Sequence, residues 1–106
     1  MDDLTIEPRQ VHAMMTSGEK FVLLDCREPW EYETAHIDGA TLIPMREIPQ
    51  KLNEIPKDQP VVVYCHAGVR SFNAASWLQR QGVQALSMNG GIDLWSREID
   101  PQVPRY

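Results

Sequence analysis

Two runs stand out from an otherwise mixed pattern of apolar and polar positions. Phe21–Cys26 (FVLLDC) and Val61–Cys65 (VVVYC) are continuously apolar, rich in β-formers and bounded by turn residues. Apolar runs without alternation read as strands covered on both faces, the signature of a parallel sheet. Ala85–Met88 and Thr5–Ile6 are weaker strand segments, and Thr41–Ile43 is a short one. Between the strands the period becomes helical. Pro8 fits a helix first turn, Val11, Met14 and Met15 share a face, and Ser17-Gly18 ends that helix. Pro29 starts a short helix through Thr34, and Pro49 opens a third, with Leu52 and Ile55 inward and Pro56 beyond its end. The longest predicted helix runs from Ser71 to Gln81, with Phe72, Ala75 and Leu78 on one stripe and Gly82 in the left-handed position after it. A last helix spans Gly91–Arg97.

Strand and helix alternating over 106 residues predict a small α/β sandwich with a mainly parallel sheet, read as one domain over 1–106. In such sheets ligands bind beyond the carboxyl ends of the strands, where both cysteines, Cys26 and Cys65, are expected. Composition narrows the function classes. Hydrophobic residues are 42% and charged residues 24%, which fits a globular chain rather than a disordered or fibrous one. The net charge of -5, with no basic cluster, argues against nucleic acid as a partner. The acidic N-terminal MDDLTIEPRQ does not resemble a signal peptide, and no apolar run approaches the roughly 20 residues that cross a bilayer. A cytoplasmic protein without membrane attachment is the expectation, and a reducing compartment leaves at least one thiol free.

The chemistry concentrates in Cys65-His66-Ala67-Gly68-Val69-Arg70-Ser71, which joins the most buried strand to the longest helix. Loop amides converging where a helix dipole is positive make an anion cradle. A thiol in that setting, with Arg70 nearby, is acidified from about 8.5 to between roughly 3.5 and 7.5, so Cys65 is expected to be a thiolate nucleophile. Gly68 lets the backbone turn inward, and Ser71 is placed to cap the helix and hydrogen-bond the sulfur. The alternative for Cys65 is a plain buried cysteine ending a strand. The cysteines and histidines lack metal-ligand spacing, and no cofactor is implied.

The loop CHAGVRS resembles the active-site loop of single-domain rhodaneses, in which four residues separate cysteine and arginine. Asp25-Cys26-Arg27-Glu28-Pro29-Trp30-Glu31-Tyr32, followed by Ala35-His36-Ile37-Asp38-Gly39-Ala40, is similar to a second family segment, and Asn89-Gly90-Gly91-Ile92 with Trp95 to a third. The resemblance implies a rhodanese-like three-layer sandwich, a mainly parallel five-stranded sheet with helices on both faces. It also implies a thiosulfate sulfurtransferase. Cys65 would take the outer sulfur of thiosulfate or a related anionic donor and pass it, as a persulfide, to cyanide, a thiol or a sulfur-carrier protein. The amides of Ala67 to Ser71 would stabilise the persulfide, and Arg70 would hold the loop and attract the donor.

Asp25 and Arg27 are expected to tie the neighbouring loop, and Glu31 to pair with Arg70 and temper its charge. Glu28 and Glu33 read as a solvated helix face. His36 is read as structural rather than as a proton donor, and His66 as shaping acceptor access. Cys26 stands where an aliphatic residue is usual in the family; it is either a buried free cysteine or, if its strand neighbours that of Cys65, a resolving thiol. The tail Asp100–Tyr106 resembles the end of rhodanese domains fused to activating enzymes of ubiquitin-like proteins. Two rival functions remain. A dual-specificity-type phosphatase needs five residues between cysteine and arginine, and a non-catalytic binding module would not require Cys65 and Arg70.

Overall fold

The computed structural model describes residues 4–106. Its elements in chain order are β1 (Thr5–Ile6), α1 (Pro8–Thr16), β2 (Val22–Asp25), α2 (Pro29–Thr34), β3 (Thr41–Leu42), two 3₁₀ segments (Met45–Glu47 and Pro49–Glu54), β4 (Pro60–Tyr64), α3 (Val69–Arg80), β5 (Gln84–Met88) and α4 (Gly91–Glu98). The five strands form one sheet in the order β1-β5-β4-β2-β3, and every pairing is parallel. Central β4 is covered on both sides, as its unbroken apolar run predicts: Val61, Val62, Val63 and Tyr64 are each no more than 1% exposed.

Side chains of successive strand residues point to opposite faces, so β4 feeds two cores. Val61, Val63 and Cys65 join Leu24, Cys26, Ala74, Ala75 and Leu78 beneath α3 and the 3₁₀ segments. Val62 and Tyr64 join Val11, Met88, Ile92 and Trp95 beneath α1 and α4. Pro8 does stand in the first turn of α1, where Glu7 and Gln10 form a reciprocal capping box.

Three local expectations are corrected. The long helix α3 begins at Val69, two residues before Ser71, and Gly68 with φ +108° is its N-cap. Ser71 therefore lies inside the first turn and does not cap it. The earlier start also rotates the buried stripe to Ser71, Ala74, Ala75 and Leu78, which leaves Phe72 at 41% exposure. The third predicted helix is a pair of 3₁₀ turns, since Lys51 leaves helical backbone geometry in its middle.

The corrected face of α3 generates a stability prediction. Leu78→Ala, which empties a site at 0% exposure, should cost about 2–5 kcal/mol. Phe72→Ala should change stability by no more than about 0.5 kcal/mol, as surface substitutions do. Chemical denaturation of both variants checks the pair, and a larger loss at Phe72 would contradict the helix orientation.

Candidate functional site

A strand that ends in cysteine, followed by a glycine turn and a helix, aims the helix's free amides back at the strand end. The first amides of a helix have no acceptor within it, and here two converge on the Cys65 sulfur. The Gly68 N–H donates to Sγ at 3.1 Å and the Ser71 N–H at 3.3 Å. Ser71 Oγ lies 3.4 Å from Sγ, accepting from the thiol or donating to the thiolate. Ser87 Oγ on β5 is 2.7 Å from Ser71 Oγ. Cys65 itself is 1% exposed.

These contacts decide the charge of the sulfur. The neighbouring Cys26 thiol lowers the Cys65 pKa most, burial opposes it, and the Ser71 hydroxyl and the Ser71 and Gly68 amides then carry it down to about 4. Cys26, buried beside that sulfur, is pushed well above the ordinary thiol range. The two thiols are coupled, with Cys65 shifted down and Cys26 shifted up.

The loop is clamped from behind. Its carbonyls at Cys65 and His66 accept the Ile92 and Asp93 amides at 2.9 and 3.0 Å, so the N-terminus of α4 supports the cradle. Gly91, at φ +60°, sits so close to the Cys65 and His66 carbonyls that any Cβ would collide with backbone, which is the physical content of the Asn89-Gly90-Gly91 motif.

Beside the cradle runs a chain of alternating charges. Arg27, at 0% exposure, is gripped by Asp25 through Nε–Oδ1 at 2.8 Å and Nη2–Oδ2 at 2.6 Å. It also donates to the Ala35 carbonyl at 2.6 Å and to the Tyr106 hydroxyl at 2.7 Å. Tyr106 in turn donates to Glu31 Oε2 at 2.8 Å, and Glu31 takes Arg70 in a two-pronged pair at 2.7 and 2.9 Å. Arg70, then burial acting in opposition, then the Glu28 amide and Tyr106, hold the Glu31 carboxylate down at about 2. The charge of Arg70 is thus largely matched by Glu31. Glu28, read from the sequence as solvated, pairs with Arg46 at 2.6 Å on the surface.

His66, Ala67 and Val69 complete the loop, with Ala67 and Val69 turned to solvent and the His66 ring set edge-on to Tyr106 at 4.5 Å. A groove of about 350 Å³ flanks the loop, lined by Ala67, Gly68, Val69, Phe72 and Asn89 among others. His36 is not brought to the cradle. It stacks on Tyr32 at 4.1 Å and lines a different hollow with His12 and Trp95. Sequence reasoning missed Ser87 and Tyr106 as site residues. A buried serine inside the apolar run of β5 was the available signal for the first; only the tail's resemblance pointed toward the second.

A family model described as a rhodanese-like domain matches residues 7–98. The chain is 38% identical over 105 residues to the probable adenylyltransferase/sulfurtransferase MoeZ of Mycobacterium tuberculosis, covering 96% of this chain but 27% of that protein. It therefore spans about a quarter of the length of that relative. It is 34% identical to the thiosulfate sulfurtransferase GlpE of Stutzerimonas stutzeri, covering 85% of this chain and 82% of the relative. A rhodanese-like domain protein from Staphylococcus aureus superposes with a TM-score of 0.84 at 26% identity, over 96% of this chain and 97% of that one. With a matched family model, sulfurtransferase relatives and a shared sheet topology, the chain belongs to the rhodanese-like domain family.

Proposed function

We propose that this domain transfers sulfane sulfur through a persulfide on Cys65. The observation that carries the reading is the buried Cys65 sulfur at the N-terminus of α3, held by the Gly68 and Ser71 amides and acidified to about 4. In the first half-reaction the thiolate attacks the outer sulfur of thiosulfate, the S–S bond of the donor breaks, and sulfite leaves with its electron pair. Cys65 then carries one extra sulfur as an anionic persulfide, which the amides heading α3 are placed to stabilise. In the second, cyanide or a thiolate attacks the outer sulfur and the Cys65 thiolate departs.

Arg70 is assigned to holding the loop through Glu31 and to meeting the anionic donor with its 38% exposed side chain. Asp25 and Arg27 support Glu31 through Tyr106, and His66, Ala67 and Val69 shape the approach of the acceptor. A thiol or a protein of sulfur-carrier type is the acceptor proposed, consistent with a relative named for paired adenylyltransferase and sulfurtransferase activities. The four residues between Cys65 and Arg70 favour sulfur over a phosphoryl group, which has three equatorial oxygens to enclose.

Two outcomes test this reading. Cys65→Ser should fold yet lose thiosulfate-to-cyanide transfer to background, measured as thiocyanate, because a serine hydroxyl stays protonated and cannot hold sulfane sulfur; undiminished turnover would exclude the mechanism. The pH dependence of Cys65 alkylation should show a midpoint near 4, the rate falling as pH drops through it and staying flat above. Ser71→Ala should raise that midpoint by about one pH unit, the worth of one hydrogen bond to an ion. Arg70→Ala should move it less while raising the KM for thiosulfate about tenfold, the loss of one charged contact. The reverse order of the two midpoints would make Arg70, and not the cradle, the source of the acidity.

A further inference from the structure

The second cysteine is placed where the chemistry of the first can reach it. Strands β2 and β4 are parallel neighbours with Leu24 opposite Val63 and Asp25 opposite Tyr64. One step further in that register sets Cys26 opposite Cys65, and the ladder still holds there, since the Cys26 N–H donates to the Tyr64 carbonyl at 3.1 Å. Both side chains point to the same face, in the core cluster under α3. Both are free cysteines, each 1% exposed. Facing residues on adjacent strands lie about 4.8 Å apart, inside the roughly 4.4–6.8 Å between Cα atoms that a disulfide spans.

From this juxtaposition, and resting on the persulfide reading above, we propose that Cys26 is a resolving thiol that discharges the sulfur on Cys65 as sulfide. A persulfide has two electrophilic sulfurs. An external acceptor takes the outer one, whereas Cys26 lies against the inner one, Sγ of Cys65. Cys26 Sγ attacks there, a Cys26–Cys65 bond forms, and the bond between Cys65 Sγ and the outer sulfur breaks. The outer sulfur leaves with the electron pair and takes up the Cys26 proton. Persulfide and thiol become disulfide and hydrogen sulfide: the sulfane sulfur is reduced, the two cysteine sulfurs are oxidised, and no outside oxidant enters. A thiol or dithiol reductant then restores both cysteines by exchange.

The proposal gives the domain a second activity, thiol-dependent release of sulfide from a sulfane donor, and a resting form in which the nucleophile is covered. Cys26 is a slow resolver because it keeps its proton in the ground state, so discharge competes only when no acceptor arrives.

The experiment loads the reduced protein with polysulfide, which donates sulfane sulfur without relying on a thiosulfate site. Excess donor is removed, and sulfide and intact protein mass are followed without acceptor. The wild-type protein should first gain the mass of one sulfur atom, then lose it with release of up to one equivalent of sulfide. It should end two hydrogens lighter than the reduced chain, with a peptide linking Cys26 to Cys65. Cys26→Ala and Cys26→Ser should keep the added sulfur and release no sulfide, at least tenfold more persistently. Wild-type persulfide as durable as that of Cys26→Ala, or sulfide release without the linked peptide, overturns the resolving role and leaves the transfer reading standing. Failure of Cys26→Ala and wild type alike to take up sulfur at Cys65 overturns both.

Discussion

Everything around the cradle follows from placing a negative charge where water does not reach. An isolated anion at 1% exposure would carry a solvation penalty large enough to keep it protonated. The thiolate of Cys65 is viable because protein dipoles replace its water: the Gly68 and Ser71 amides and the Ser71 hydroxyl. Those donors converge only if the chain reverses sharply at Gly68, with φ +108°, and enters α3 at once. They stay converged only if the loop's own carbonyls are tied, which the α4 amides of Ile92 and Asp93 accomplish. Gly91 permits that approach. A strand end, two helix N-termini and two glycines are thus consequences of one buried sulfur.

A second constraint keeps the cradle's cation in place. Arg27 and Asp25 are wholly buried, and a buried pair is tolerable only when the remaining donors are satisfied. Arg27 satisfies them with the Ala35 carbonyl and the Tyr106 hydroxyl, and Tyr106 passes the order on to Glu31 and Arg70. The result is a row of alternating charges from the end of β2 to the first turn of α3. It holds Arg70 without burying it, through two bonds to Glu31, with 38% of its side chain left exposed.

The sequence was most informative where one physical cause dominated. The unbroken apolar runs of β2 and β4 announced a sheet covered on both faces, and the pairing of Cys65 with a glycine turn and a helix start announced the cradle. It was less informative where the answer depended on where a helix begins. Gly68 rather than Ser71 caps α3, because a glycine at positive φ can start the helix without a side-chain cap. That two-residue difference swung Phe72 outward and drew Ser71 in against Ser87. Among long-range partners Glu31 with Arg70 was expected, but Tyr106, which meets Arg27 from 79 positions away, was not, since no local pattern records such a contact. Cys26 was legible as an oddity, but its meaning required the register of β2 against β4.

If Cys65 carries sulfur as proposed, its acidity also sets the order in which that sulfur is claimed. A weakly basic thiolate is a weaker nucleophile but a better leaving group, and the best attacking thiol has a pKa near ambient pH, so lowering Cys65 to about 4 gains little in attack on a donor and most in departure. Handing the sulfur on reverses the roles. An acceptor at the outer sulfur expels this stabilised thiolate, returned to its cradle of amides, whereas Cys26 at the inner sulfur must expel sulfide, a poorer leaving group without such preorganised support. On the proposed route, the hydrogen bonds that acidify Cys65 therefore favour transfer over discharge, and the neighbouring thiol would claim the sulfur only when the acceptor is late.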